Sequence, residues 1–134
     1  MLSKKTQYAF KALGYLARQK DNKPVLIAEI AEKKKIPLKF LENILLELKN
    51  SHILASKKGK GGGYYLARNA GDIFLTEIMR LLDGPIALLP CVSLNFYKKC
   101  ENCDERDCKL RDVLIEVRDA TLAILENKTV ADIT

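Results

Sequence analysis

Four cysteines, the only ones in the chain, are the residues whose type and spacing most clearly suggest chemistry. They lie within 18 residues in the pattern C-x8-C-x2-C-x4-C, and they are Cys91, Cys100, Cys103 and Cys108. Metal and iron–sulfur sites need several soft thiolates that converge from a flexible loop. The clustering therefore predicts an iron–sulfur cluster of the 2Fe-2S or 4Fe-4S type, or a Zn²⁺ site. Disulfide formation, thiol redox sensing without a metal, and inert cysteines are the alternatives.

The other reactive side chains and the N-terminus point to a cytoplasmic protein. The single histidine, His52, is interpreted as a surface or capping residue rather than a metal ligand. Lys4, Lys5 and Lys11 interrupt the only candidate secretory core, so no signal peptide is predicted, and reduced thiols or metal ligands are favoured over structural disulfides. No apolar run approaches the roughly 20 residues of a membrane-spanning helix, so no membrane partner is expected.

Positive charge is concentrated in the N-terminal half of this chain of 134 residues, whose formal net charge is +6. Residues 1–68 contain 15 Lys and Arg against 5 Asp and Glu, whereas residues 69–134 contain 8 against 12. A basic half of this kind favours a surface that binds nucleic acid, although the lysines could instead only solvate helix surfaces. No catalytic constellation of Ser, His and Asp is present, so we do not expect an enzyme. A redox enzyme or electron carrier would leave the basic half unexplained.

Three predicted helices open the chain. Ser3 stands where an N-cap would, and apolar residues at a three-and-four spacing predict a helix to about residue 20. A short helix follows within IAEIAEKKK, and a turn at Ile36-Pro37 separates it from a third helix over Leu38–Asn50. Two short helices joined by a tight turn, after a longer one, predict a helix-turn-helix unit.

A glycine- and lysine-rich segment, KKGKGGG at residues 57–63, separates two short apolar runs and predicts a β-hairpin. Glycine leaves backbone N–H groups accessible, so the tip can lie against a phosphate backbone or enter a minor groove. We interpret the hairpin as a wing. A flexible connector is the alternative, and a nucleotide loop is disfavoured because the GxxxxGK[ST] pattern is missing.

The C-terminal half predicts two more helices around the cysteine segment. The first ends at Gly84-Pro85, and the second carries one apolar stripe from Leu110 to Leu125. A long amphipathic helix outside a complete winged-helix core needs another apolar surface, and the matching helix of a second chain is the economical source. A homodimer is therefore predicted, and packing back on its own domain is the alternative.

These motifs resemble the IscR, NsrR and CymR group of winged-helix bacterial transcription regulators. The resemblance covers nearly the whole chain, and it is carried by YAFKAL, IAEIAEKKKIPLKFLENILLELKNSHIL, SKKGKGGGYYLAR and DIFLTEIMRLLDGPI. It implies a dimeric DNA-binding regulator that carries, in several members, an iron–sulfur cluster near the long helix. Such members use three cysteines and one non-cysteine ligand. Gln7 stands where some relatives have an acidic ligand, so the four thiolates here favour an all-cysteine site.

The resemblance also implies which residues contact DNA. Lys39, Glu42 and Asn43 match the major-groove positions at the start of the third helix, and Lys58 and Lys60 match the wing. A solvated helix surface is the alternative interpretation of Glu42. In the same comparison, four residues around the start of the first helix are expected to position it against phosphates, which sets register but not sequence choice. These are Ser3, Lys4, Lys5 and Thr6.

The predicted fold is mainly α with a small β-hairpin wing, a winged helix-turn-helix followed by a long C-terminal dimerisation helix. Residues 1–83 form the DNA-binding domain, 84–108 the cysteine-bearing sensor loop, and 109–134 the dimerisation helix and tail. The predicted function is a dimeric transcriptional regulator, such as a repressor, of a double-stranded DNA operator that senses cluster status or a redox or nitrosative signal. The alternative is a winged-helix regulator with structural zinc, or one that senses thiols or cysteine supply directly. In the predicted mechanism, a change at the cluster repositions Cys108 and the long helix, and thereby the two reading helices.

Overall fold

The computed structural model describes residues 2–101, 104 and 106–134 of the chain. It divides into two compact units, one from the N-terminus to Ile73 together with Thr129–Thr134, and the other Phe74–Lys128. Within the described part of the chain, no helix is long and apolar enough to cross a bilayer.

Helix α1, Lys4–Ala17, opens the first unit. The Ser3 side chain caps it by accepting a hydrogen bond from the backbone N–H of Thr6 at 3.2 Å, as the sequence predicted. The helix ends before residue 20 because the chain turns into a short 3-10 helix, Lys20–Asn22, in which Asp21 has a left-handed backbone with φ of 56°. Four apolar residues on the inner face of α1 are buried in the core: Ala9, Ala12, Leu13 and Leu16.

Helices α2, Ile27–Lys34, and α3, Leu38–Asn50, form the predicted helix-turn-helix. Lys35 ends α2 in the left-handed conformation, and the N–H of Ile36 bonds back to the carbonyl of Ala31 at 2.9 Å, which tightens the turn. Four fully buried side chains hold α3 in the core, and they are Leu41, Ile44, Leu45 and Leu48. The opposite face of α3 therefore points to solvent.

Strands β1, Leu54–Lys57, and β2, Gly63–Leu66, form the predicted wing as an antiparallel hairpin. Tyr64 exchanges two backbone hydrogen bonds with Val25, which ties β2 to the segment before α2. Gly63 makes this approach possible: its φ is 138°, and a Cβ atom there would lie 2.3 Å from the carbonyl group of Val25.

The last six residues return to the first unit. The N–H of Val130 bonds to the carbonyl of Ile73 at 2.9 Å, and a short 3-10 helix, Val130–Ile133, packs against α1. Gly14 leaves room for this contact, because a Cβ atom there would lie 3.3 Å from the carbonyl oxygen of Ile133.

The second unit contains α4, Leu75–Leu82, a 3-10 turn at Pro90–Val92, and α5, Lys109–Leu125. The predicted long helix is confirmed. Helix α4 packs with α5 in this unit, and the C-terminal tail belongs to the first unit. The predicted domain bounds stay a prediction. The observed winged helix, mainly helical with a two-stranded hairpin, agrees with the predicted fold class.

Candidate nucleic-acid interface and cysteine segment

The outer face of α3 carries the three residues expected in the major groove. Lys39, Glu42 and Asn43 are all exposed. The buried leucine and isoleucine face fixes the rotation of α3, so these three polar side chains are held on the solvent side of the first unit. The structure therefore places the predicted base-reading residues on one accessible helix surface.

The N-terminal part of α1 is attached to the start of α3 by aromatic packing. Tyr8 and Phe40 meet edge to face, with ring centroids 5.6 Å apart. The ammonium groups of Lys4 and Lys11 lie 5.8 Å and 5.9 Å from the Tyr8 ring centroid. Two lysines are thus held on the tyrosine that contacts α3. Sequence reasoning missed Lys11, although its spacing of three from Tyr8 and seven from Lys4 places all three on one helix face.

The other residues around the start of α1 have structural partners. Lys5 forms an ion pair of 2.6 Å with Glu47 of α3, and both side chains remain partly exposed. Ser3 is exposed, but its hydroxyl oxygen caps α1 and donates to the hydroxyl of Thr6 at 3.3 Å. Thr6 is fully buried. The expectation that Thr6 contacts phosphate is therefore wrong, because none of its surface reaches solvent.

The tip of the wing presents lysines on a backbone shaped by glycine. Lys58 and Lys60 are exposed, and both lie between β1 and β2. Gly59 and Gly61 have φ of 89° and 75° with open space around them, whereas a Cβ atom at Gly62 would lie 2.2 Å from the carbonyl oxygen of Lys57. The wing glycines thus serve the tight turn, and they leave the two lysine side chains at its surface.

Two polar contacts connect the helix-turn-helix and the wing to α1 and to the short 3-10 helix that follows it. The Asn22 side-chain amide donates to the carbonyl of Leu66 at 2.8 Å and accepts from its N–H at 3.2 Å, so the amide substitutes for a neighbouring strand. Tyr15 of α1 donates its hydroxyl hydrogen to the carboxylate of Glu29 on α2 at 2.5 Å. That hydrogen bond, together with burial and the negative charge of Glu29, raises the pKa of Tyr15 above its ordinary value of 10.0.

The cysteine segment contacts α5 at both ends. Cys91 is buried at 3% exposure in the turn Pro90–Val92, and the guanidinium of Arg118 donates to the carbonyl of the next residue, Val92, at 2.9 Å. At the other end, Cys108 is the N-cap of α5, and its sulfur accepts a hydrogen bond from the N–H of Arg111 at 3.4 Å.

The described cysteines do not form a closed metal site in this arrangement. Cys91, Cys100 and Cys108 take part in no disulfide among the described residues, and Cys103 lies outside them. Within the described ranges, no three His, Cys, Asp or Glu side chains converge to hold a metal ion. His52 is exposed after the end of α3, in a left-handed conformation with φ of 62°.

Helix α5 exposes an apolar row on one face. Its members recur at i, i+3, i+7, i+10 and i+14, and all of them are exposed: Leu110, Val113, Val117, Ala120 and Ile124. Leu122, which is 5% exposed, lies on a different face within the second unit. We call this exposed set the apolar row of α5. Its spacing is that of a helix that packs along a second helix.

The helix-turn-helix, the hairpin wing and the lysines around α3 define a winged-helix protein with a basic face. The chain belongs to the Rrf2 family, whose model, described as an iron-dependent transcriptional regulator, matches residues 2–134. The chain is 40% identical over 136 residues to an Rrf2-like helix-turn-helix transcriptional regulator of Rhodobacter capsulatus, and the match covers 98% of this chain and 91% of that protein.

Solved structures agree with this family membership. CymR, the global cysteine regulator of B. subtilis, has a TM-score of 0.81 at 26% identity, with 99% of this chain and 95% of that chain covered. IscR of T. potens has a TM-score of 0.77 at 26% identity, with 99% and 85% covered. The chain is therefore a transcriptional regulator and not an enzyme, as the sequence predicted, and its family implies DNA binding.

Proposed function

We propose that the protein is a homodimeric regulator that binds a double-stranded operator through α3 and the wing. The observation that carries this proposal is the exposed polar face of α3, beside which Tyr8 holds the ammonium groups of Lys4 and Lys11. An exposed carboxylate on such a basic face is unfavourable near phosphates unless it reads a base. Glu42 therefore supports base recognition rather than a general polyanion surface.

Each exposed residue of α3 suits a particular contact. The Glu42 carboxylate accepts a hydrogen bond from the amino group of a cytosine, and the Asn43 amide pairs in two ways with an adenine. Lys39 donates to a guanine edge or to a phosphate. Lys58 and Lys60 at the wing tip, and Lys4 and Lys11 on α1, bind phosphates and fix the register of α3 in the major groove.

The apolar row of α5 is the proposed dimer contact. Leu110, Val113, Val117 and Ile124 are 58%, 53%, 40% and 64% exposed, and a second α5 packed against them would remove this apolar surface from water. A two-fold axis between the two α5 helices also gives the dimer two copies of α3, as a palindromic operator with half-sites about one helical turn apart requires.

Salt dependence tests the DNA contacts. The full chain is used to select a preferred duplex from a random pool, and its affinity is then measured by fluorescence anisotropy over a range of salt concentrations. Lys60→Ala removes one phosphate contact from each protomer of the dimer and should lower the magnitude of the slope of log K against log salt by about 1.8, and Lys58→Ala should do the same. Lys128→Ala, an exposed lysine of the second unit, is the control and should leave the slope unchanged. An absence of duplex binding at low salt would refute the proposal.

We also propose that the cysteine segment is the sensory element. The contacts of the Cys91 turn with Arg118 and of Cys108 with the start of α5 support this role. A change at the Cys108 thiol acts directly on the first turn of α5, and a change at Cys91 acts on the neighbouring residue, Val92, that Arg118 holds. An iron–sulfur cluster held by Cys91, Cys100, Cys103 and Cys108 is one candidate, supported by the iron dependence in the family description. Zinc binding or direct sensing of thiols or cysteine supply is the other, and the similarity to CymR, a global cysteine regulator, supports the sensing of cysteine supply.

Colour and metal content separate the two sensors. Protein purified without oxygen is analysed by visible spectrum and for iron, sulfide and zinc, and its affinity for the selected duplex is measured before and after metal removal or thiol oxidation. A coupling of about 1–3 kcal/mol gives a roughly 5–150-fold difference in DNA affinity. Equal affinities in all these states would refute the sensory role and leave the DNA-binding proposal intact.

A further inference from the structure

Helix α3 exposes two leucines on the same face as its polar residues. Leu38 is 45% exposed and Leu46 is 50% exposed, although neighbouring α3 leucines are completely buried. Leu38, Glu42 and Leu46 are spaced by four residues, so they follow one row along the helix, with about 6 Å of axial rise between successive members. The row therefore places an apolar side chain on each side of the Glu42 carboxylate.

The charge around this row favours DNA as its occupant. Lys39 and Asn43 flank the row on α3, and Tyr8 holds Lys4 and Lys11 beside the start of the helix. A second copy of this basic surface would be repelled, whereas a polyanion is attracted. In the major groove the only apolar group that a base edge presents is the 5-methyl group of thymine, and apolar side chains contact it.

We propose that Leu38 and Leu46 contact thymine methyl groups, and that the row Leu38–Glu42–Leu46 reads pyrimidines. The Glu42 carboxylate accepts from the amino group at position 4 of a cytosine, and the leucines contact the methyl group at position 5 of thymines that lie on either side along the groove. The exposed leucines thereby become determinants of operator sequence. This inference rests on the proposed binding of DNA by α3, and it adds the bases that the helix selects.

Leucine substitutions in the protein, combined with removal of single thymine methyl groups from the DNA, test the proposed contact. In the duplex selected with the full chain, each thymine is replaced in turn by deoxyuridine, which lacks only the methyl group, and affinity is measured by anisotropy. For each leucine, one thymine position in each half-site should be sensitive to this replacement. Deoxyuridine at that position should lower the affinity of the protein for the duplex about fourfold per half-site, the amount for one buried methyl group. Leu38→Ala should remove the sensitivity at one of these thymines, and Leu46→Ala the sensitivity at the other.

The controls separate a methyl contact from an effect on folding. Leu26 is 62% exposed and lies before α2, so Leu26→Ala should leave both affinity and the deoxyuridine effects unchanged. A leucine that acts only on structure would weaken binding to thymine and uracil duplexes by the same factor, and that result would overturn the inference. Uniform insensitivity to deoxyuridine would also overturn it while leaving DNA binding by α3 in place. Failure to bind any duplex would refute the proposed function and this inference together.

Discussion

A single charge in the apolar row of α5 should separate the proposed dimer. We choose Val117→Asp because Val117 lies at the middle of the row and is already 40% exposed, so the folded protomer tolerates the aspartate. If full burial of each side chain is worth about 1.5–2 kcal/mol, the exposed fractions of the four large residues give on the order of 8 kcal/mol for two copies of the row. Association itself costs about 4–15 kcal/mol of free energy, so the dimer forms only if most of the contribution from burial of the apolar row is retained.

The substitution acts on both protomers at once. It removes about 1 kcal/mol of stabilisation by apolar burial from the dimer in total. It also places two carboxylates in a contact that excludes water, and the cost of burying them lowers the stability of the dimer by several kcal/mol more. A total near 4 kcal/mol raises the dimer dissociation constant by about a thousandfold. Sedimentation velocity over a range of protein concentrations should therefore show monomer for Val117→Asp where the unsubstituted chain is dimeric.

A matched variant keeps the test specific. Ala123 is exposed on a different face of α5, so Ala123→Asp adds the same charge to the same helix and should leave the dimer intact. If Val117→Asp and Ala123→Asp have equal dissociation constants, or if the unsubstituted chain is monomeric at every concentration, the assignment of the apolar row to a dimer contact is refuted.

Two further predictions concern the stability of the first unit. Gly63→Ala should lower the free energy of unfolding by at least about 2 kcal/mol, because its Cβ would overlap the Val25 carbonyl at a φ of 138°, whereas Gly71→Ala, with open space, should stay within about 0.5 kcal/mol in urea titrations. The hydrogen bond from Tyr15 to Glu29 raises the tyrosine pKa, so its stabilisation is complete below pH 10.0 and is lost as the pH rises through the raised value. The stability difference between the unsubstituted chain and Tyr15→Phe should therefore stay constant in urea titrations up to about pH 9 and shrink as the pH rises above 10.0, and a difference that stays constant above pH 10.0 would refute this assignment.

The helices of the first unit were predictable because their signals are local. Apolar periodicity, the Ser3 cap and the Ile36-Pro37 turn are read within a few residues, and α3 begins and ends at the predicted residues, Leu38 and Asn50. The wing was predictable for the same reason. The resemblance to known regulators then added which faces of these elements are predicted to contact DNA, because periodicity alone does not specify this.

The contacts that were missed join residues far apart in the chain. Asn22 bonds to Leu66, and the C-terminal helical turn packs against α1, so neither pairing leaves a pattern within one segment. The sequence places Thr6 beside lysines at the start of α1, but the rotation of the helix turns it into the core. Local sequence indicates glycines that suit a tight turn and leave backbone N–H groups accessible, but it does not show that Gly62 and Gly63 are also required by close approaches within the chain itself.

The attachment of the cysteine segment to α5 has an entropic consequence. Arg118 holds Val92 across a separation of 26 residues, so folding has already closed a loop in which Cys100 and Cys108 lie. Closing a flexible loop of that length costs about 2.9 kcal/mol from its length dependence alone. A ligand that gathers the cysteines is spared part of this cost, and it binds more tightly than it would to the same residues on an open chain. Conversely, a signal that releases Val92 from Arg118 weakens ligand binding without touching a sulfur atom.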